Sequence, residues 1–69
     1  MTDPALLDDW LQLVRAEYEE LPDLHLTRAE VERLWGLDAF TAEAILTTLV
    51  SSGVLRKTAR GAYVKSDAG

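Results

Sequence analysis

The apolar residues of this chain recur at helical spacing in three segments, which proline and glycine residues separate. The members of the first stripe lie three or four residues apart: Leu7, Leu11, Val14, Tyr18 and Leu21. Three neighbouring apolar residues widen this stripe: Leu6, Trp10 and Leu13. Asp3 followed by Pro4 is typical of an N-cap and a first helical residue. Because Pro22 disfavours a helical conformation at Leu21, the pattern predicts a first helix from Pro4 to near Glu20.

Two shorter helices are predicted between residues 27 and 53. Thr27 and Glu30 have the spacing of a capping box, and Gly36 supplies a left-handed stop for the second helix. Asp38 is the expected cap of the third helix, which Gly53 ends. The apolar residues predict the inner faces of both helices: Val31, Leu34 and Trp35 in the second, and Ala42, Ile45, Leu46, Leu49 and Val50 in the third.

Three short runs have the character of β-strands. Residues 24–26 alternate between apolar and polar, and residues 54–57 and 62–65 form a hairpin pattern across residues 58–61. Gly61 is the expected site of a positive φ in that hairpin. We therefore expect one domain over residues 1–69, mainly α-helical with a small β-hairpin, with its core at about residues 5–65 and a frayed tail at residues 66–69.

The order of caps, glycines and spacings resembles the winged helix-turn-helix family of small, mostly DNA-binding domains. The matching segments are the tight turn Trp35-Gly36-Leu37-Asp38, the sequence from Leu49 through Gly53 to Val54-Leu55, and Gly61-Ala62-Tyr63. The resemblance covers residues 24–65, and the first helix extends it to about residue 5. It implies three helices plus a two- or three-stranded antiparallel wing, which is the hairpin described above.

The resemblance also implies that helix 3 lies in the major groove of DNA while the wing contacts phosphates or the minor groove. The expected outward face of helix 3 carries no arginine, lysine, asparagine or glutamine to read purine edges: Ala39, Phe40, Thr41, Glu43, Ala44, Thr47 and Thr48. Glu43 and the threonines could still contact a cytosine amino group or a thymine methyl group. For Glu43 we favour the simpler interpretation of a solvated helix residue, so base reading has little support.

Charge is unevenly distributed along the chain. The formal net charge is -5, with -6 over residues 1–25, -2 over residues 26–53 and +3 over residues 54–69. An acidic protein is repelled by nucleic acid overall, yet a local basic patch can still bind it. The predicted phosphate contacts lie on the wing and in the first turn of helix 2: Arg28, Arg56, Lys57, Arg60 and Lys65. The alternative is that these cations keep a hairpin edge soluble and unpaired.

Phe40 and the acidic first helix support a second hypothesis, in which the domain binds a protein. Phe40 points outward in the predicted register, and we favour an arrangement in which it folds back onto Leu37 or the wing. If exposed, it would form a neutral docking patch with Ala39, Ala44 and the threonines. Helix 1 is also the expected interface of a homodimer, because one such domain contacts only half a DNA site. Trp10 and Trp35 are expected to pack in or beside the core.

An enzyme is not expected from this sequence. The chain has no cysteine, and its only histidine, His25, is expected to be a partly packed structural residue and not a base or metal ligand. There is no glycine-rich phosphate loop, and we expect no cofactor, metal or small-molecule substrate. No apolar run approaches the roughly 20 residues that cross a membrane, and the acidic N-terminus is unlike a signal peptide, so we expect a cytoplasmic protein.

Two functions follow from the sequence. The first is a small DNA-binding winged-helix protein, a transcriptional regulator or a DNA-associated accessory factor. The second is a winged-helix module that has lost its base-reading residues and docks on a protein through Phe40 or the acidic helix 1.

Overall fold

The computed structural model describes residues 4–66. The elements follow in the order α1 (Pro4–Glu20), β1 (His25–Thr27), α2 (Arg28–Trp35), α3 (Ala39–Ser51), β2 (Leu55–Lys57) and β3 (Ala62–Lys65). The three strands form one antiparallel sheet in the order β1-β3-β2. The predicted mainly α-helical class is confirmed, and the layout is compatible with a winged helix. The predicted cap Asp3, the side chain of Leu6 and tail residues 67–69 lie outside the described part.

Reciprocal hydrogen bonds at the start of α2 confirm the predicted capping box. The Thr27 hydroxyl accepts from the Glu30 backbone N–H at 3.2 Å, and the Glu30 carboxylate accepts from the Thr27 N–H at 2.9 Å. That second hydrogen bond is the main reason why the pKa of Glu30 lies below its usual value. Gly36 closes the helix with a φ of +64°, a conformation that residues with a side chain rarely adopt. The local sequence therefore determines both ends of α2.

The predicted cap of α3 and the turn of the hairpin are also confirmed. The Asp38 carboxylate accepts from the Thr41 N–H at 2.8 Å, and hydrogen bonding from Thr41 lowers the pKa of Asp38. Between β2 and β3, Gly61 has a φ of +86° and donates its N–H to the Thr58 carbonyl at 3.0 Å. These contacts set the direction of α3 and the hairpin relative to the rest of the chain.

One apolar core joins the helices to the sheet. Its buried members come from five of the six elements: Val14 and Tyr18 of α1, Val31 of α2, Ala42, Ile45, Leu46 and Leu49 of α3, Leu55 of β2 and Tyr63 of β3. The Tyr18 hydroxyl donates to the backbone carbonyl of Tyr63 at 2.8 Å and so connects α1 to the central strand. Trp10 and Trp35 pack against this core and are partly buried, as expected.

Four residues of the predicted apolar faces are instead exposed to solvent. Leu13, Leu21 and Leu34 are 42%, 52% and 59% exposed, and Val50 is 36% exposed. Leu21 follows the end of α1 at Glu20, and Leu34 lies on α2 beside an open cleft that it lines with Leu26, Glu30 and Arg33. The expectation was wrong because a domain this small has too few neighbouring elements to cover a wide apolar stripe.

Residue 66, the first of the predicted frayed tail, still carries a backbone hydrogen bond. The Ser66 backbone N–H donates to the Val54 carbonyl at 2.9 Å. This hydrogen bond continues the pairing of the hairpin beyond the end of β3, so the chain is still held at residue 66.

Removal of the N-cap hydroxyl should destabilise the domain. We expect Thr27→Ala to lower the free energy of unfolding by about 1 kcal/mol, because Glu30 loses a hydrogen bond at the start of α2. Thr47→Ala, on the exposed side of α3, is a matched control that should change it by less than about 0.5 kcal/mol. Urea unfolding followed by circular dichroism measures both, and equal effects would contradict the importance of the cap.

Tyr18 should make the fold sensitive to alkaline pH. Burial is the main cause that raises the pKa of Tyr18 from 10.0 to about 12. A raised pKa stabilises the fold fully below the pKa of the unfolded tyrosine, and this contribution is lost as the pH rises through the folded value. Wild type should therefore lose stability between about pH 10 and pH 12 more steeply than Tyr18→Phe.

At neutral pH the Tyr18→Phe variant should be less stable by about 1 kcal/mol, because the hydrogen bond to Tyr63 is absent. Thermal unfolding across the pH range measures both effects. Parallel pH curves for the two proteins would show that ionisation of Tyr18 is not coupled to unfolding.

Candidate nucleic-acid interface

The pairing of the three strands sorts the polar side chains onto two faces of the sheet. His25, Val64 and Arg56 form one row across β1, β3 and β2, and Leu26, Tyr63 and Lys57 form the next. Since successive residues of a strand point to opposite faces, the two rows face opposite ways. Tyr63 is buried in the core, so the row that contains Arg56 and His25 lies on the outer face.

An open groove of about 580 Å³ lies on this outer face, which we call the outer-sheet groove. The turn before β1 forms one side, and the β2–β3 hairpin forms the other. The apolar part of its lining consists of Pro22, Leu24, Ala62 and Val64. The charged part consists of the cations Arg56, Arg60 and Lys65 and the acid Asp23. The only histidine, His25, and the turn residues Thr58 and Ala59 complete the lining. An apolar floor beside several cations is suited to an extended polyanion.

The cations of the outer-sheet groove have no carboxylate partner among the described residues. Within residues 4–66 the ion pairs are Arg15 with Glu19 at 3.3 Å and Arg28 with Glu32 at 3.2 Å, both four residues apart on a helix. Neither pair includes a residue of the groove. Its positive charge is therefore not neutralised by a direct ion pair in this part of the chain.

Three of the five predicted phosphate contacts, Arg56, Arg60 and Lys65, line the outer-sheet groove, whereas Arg28 is paired with Glu32 on α2. Lys65 pairs with the buried Leu55 and follows Tyr63 by two residues, so its side chain leaves the sheet on the core side, and only the two arginines are assigned to phosphate contacts in the groove. Lys57 lies one residue along β2 from Arg56 and therefore faces the other side, where its ammonium group is 5.7 Å from the centre of the Tyr63 ring. The hairpin thus divides its positive charge between two faces.

The residues of the predicted recognition face of α3 differ in how far they are exposed to solvent. Its exposed members recur at helical spacing as Ala39, Phe40, Glu43 and Thr47, whereas Thr41 and Ala44 are half-buried. Thr48 is exposed, but its hydroxyl donates to the Ala44 carbonyl at 2.7 Å and lies beside α1. Val50, predicted to face inward, extends the exposed stripe. This stripe, Phe40-Glu43-Thr47-Val50, carries a single charge, and that charge is negative.

Phe40 does not fold back onto Leu37 or the hairpin. Its side chain is 79% exposed, whereas Leu37 packs against the core. Phe40 occupies the first turn of α3 on the side opposite Ala42 and Leu49, so it cannot reach the core without unwinding that turn. The favoured interpretation was wrong, and its alternative, an exposed aromatic ring, is confirmed.

His25 is the groove residue whose position sequence reasoning missed. It was expected to be partly packed, but its side chain is exposed, with Nδ1 3.2 Å from the Asp23 carbonyl oxygen. The signal was present in the alternation of Leu24, His25 and Leu26. Both leucines pack against the core, which directs the histidine outward.

Metal sites and membrane-spanning helices are absent from the described part of the chain. Over residues 4–66 no group of three or more histidine, aspartate or glutamate side chains could hold a metal ion. None of the described helices is both long enough and apolar enough to span a bilayer. No protein-family model, curated protein or solved structure matches the chain. A functional assignment therefore depends on the geometry and charge described above.

The exposure of Phe40 predicts that its removal leaves stability intact. Phe40→Ser should change the free energy of unfolding by less than about 0.5 kcal/mol, because the ring has little packing to lose. Leu46→Ala in the same helix should cost about 2–5 kcal/mol, because Leu46 is fully buried. Chemical unfolding measures both variants, and a large loss in Phe40→Ser would show that the ring packs against the domain.

Proposed function

We propose that this chain is a small winged-helix protein that binds double-stranded DNA through its phosphate backbone, as a transcriptional regulator or a DNA-associated accessory factor. The observation that carries the proposal is the outer-sheet groove, which Arg56 and Arg60 line without a carboxylate partner among the described residues. Cations that contact phosphates supply most of the affinity of such proteins and fix their position on the duplex.

Binding in this proposal depends weakly on base sequence. Specific reading requires side chains that pair with base edges, and the exposed stripe of α3 offers only Glu43 and Thr47 as polar groups. Two phosphate contacts, from Arg56 and Arg60, would give a slope of about -1.8 in a plot of log affinity against log salt concentration. The proposed protein is thus a weak, salt-sensitive DNA binder whose specificity would come from elsewhere.

A homodimer would increase the number of phosphate contacts. The exposed side of α1 is the proposed interface, and Leu13 is exposed on this helix. The acidic residues of α1 do not line the outer-sheet groove. Their negative charge would orient the protein with its groove toward the DNA. We place this activity in the cytoplasm.

Removal of two groove cations tests the proposal. Arg56→Ala with Arg60→Ala should lower affinity for a mixed-sequence duplex and reduce the salt slope from about -1.8 to near zero, because both groove arginines are lost. Arg15→Ala with Arg33→Ala removes the same charge from positions outside the groove and should leave the slope unchanged. Fluorescence anisotropy at several salt concentrations measures both. Equal losses in the two double variants would show that only net charge matters.

A protein-docking function is the second candidate, and the exposure of the Phe40 ring favours it. Aromatic rings are frequent anchors of protein interfaces, and the stripe Phe40-Glu43-Thr47-Val50 is otherwise nearly neutral. Binding through this stripe would respond little to salt, unlike binding through the groove. Phe40→Ser would abolish it while DNA affinity stays unchanged, which separates the two functions.

A further inference from the structure

The outer-sheet groove contains one side chain whose ordinary charge depends on pH near neutrality. We infer that His25 is a further phosphate contact and that its protonation strengthens binding of the DNA backbone in the groove. This inference rests on the DNA-binding function proposed above and adds to it a named contact and a dependence on pH.

The sheet places His25 and Arg56 on either side of the groove floor. They occupy one row with Val64 between them, so their backbones are two strand spacings apart, about 9–10 Å. Both side chains are exposed and line the same groove, and each is several ångströms long. A phosphate group above Val64 therefore lies within reach of both, while its sugar contacts the apolar floor.

The contact between His25 and Asp23 determines which ring nitrogen is left to bind an anion. Nδ1 lies 3.2 Å from the Asp23 carbonyl oxygen, which can only accept a hydrogen bond, so the Nδ1–H is the donor. In the neutral ring this leaves Nε2 as an acceptor, which presents a lone pair to an anion. Proton uptake at Nε2 converts it to a donor and adds a positive charge, as a charge-assisted hydrogen bond to phosphate requires.

Charged groups surround His25 from every neighbouring element. Asp23 lies in its own turn, and Glu30 of α2 is near enough for His25 to contribute to the lowering of the Glu30 pKa. Arg56 of β2, Arg60 of the hairpin turn and Lys65 of β3 line the same groove. A bound phosphodiester adds negative charge beside the ring, so DNA binding and proton uptake strengthen each other.

The measurement is the dissociation constant of a mixed-sequence DNA duplex at about pH 5.5, 6.5 and 8, a range in which histidine ordinarily titrates. Ionic strength is held constant and low. Wild type should bind about five to ten times more tightly at the lowest pH than at the highest, because it gains one charged contact. His25→Gln keeps a polar side chain without the titration and should show little change with pH. The amino terminus is common to both proteins, so the comparison cancels its titration.

Ring NMR signals of His25 provide a second measurement that a purely structural role would not affect. Their titration midpoint should move to higher pH when duplex DNA is present, and it should not move in the Arg56→Ala, Arg60→Ala protein, which retains His25 but binds DNA weakly. The same pH dependence in wild type and His25→Gln would overturn the inference. So would a His25→Gln protein weakened equally at every pH.

The outcomes separate this inference from the function on which it rests. If DNA affinity falls with salt and with the loss of Arg56 and Arg60 but does not change with pH, only the role of His25 is overturned. Absence of DNA binding by wild type at low salt and about pH 5.5 overturns the role of His25 and the proposed function together.

Discussion

The burial of Tyr63 on the central strand is the constraint on which the rest of the structure depends. Its side chain belongs to the core, and its backbone carbonyl accepts the hydrogen bond from Tyr18 of α1. With Tyr63 directed inward, the two-residue period of a strand directs Val64 outward, and pairing places His25 and Arg56 beside it. A shift of one residue in register would exchange the two faces of the sheet. The same register therefore determines both the packing of the core and the composition of the outer-sheet groove.

The ends of the elements could be predicted from sequence because local interactions determine them. The caps formed by Thr27 and Asp38 and the positive φ of Gly36 and Gly61 each depend on residues within four positions of one another. The width of the apolar faces could not be predicted in this way. Periodicity identifies the side of a helix that is apolar, but the neighbouring elements decide how much of that side is covered, and Leu34 lies beyond their cover.

The candidate site likewise has features that could be predicted from the sequence and features that depend on the folded chain. Composition identified the cations of the hairpin, but only the strand register shows that Arg56 faces the groove while Lys57 faces the Tyr63 ring. The pairing of Arg28 with Glu32 was foreseeable, because oppositely charged residues four positions apart on a helix are neighbours. The position of His25 in the groove depends on two segments that meet only in the folded chain, the turn before β1 and the β2–β3 hairpin.

An amide NMR titration of the protein with a mixed-sequence DNA duplex, at low and then at higher salt, shows which surface binds. Binding through the outer-sheet groove predicts shifts that weaken with salt and cluster at residues 22–25 and 56–65, with small changes along the exposed stripe of α3. Shifts concentrated at Phe40, Glu43 and Thr47, or no shifts at low salt, would contradict it. In the second case the exposed Phe40 ring would become the leading candidate for the functional surface.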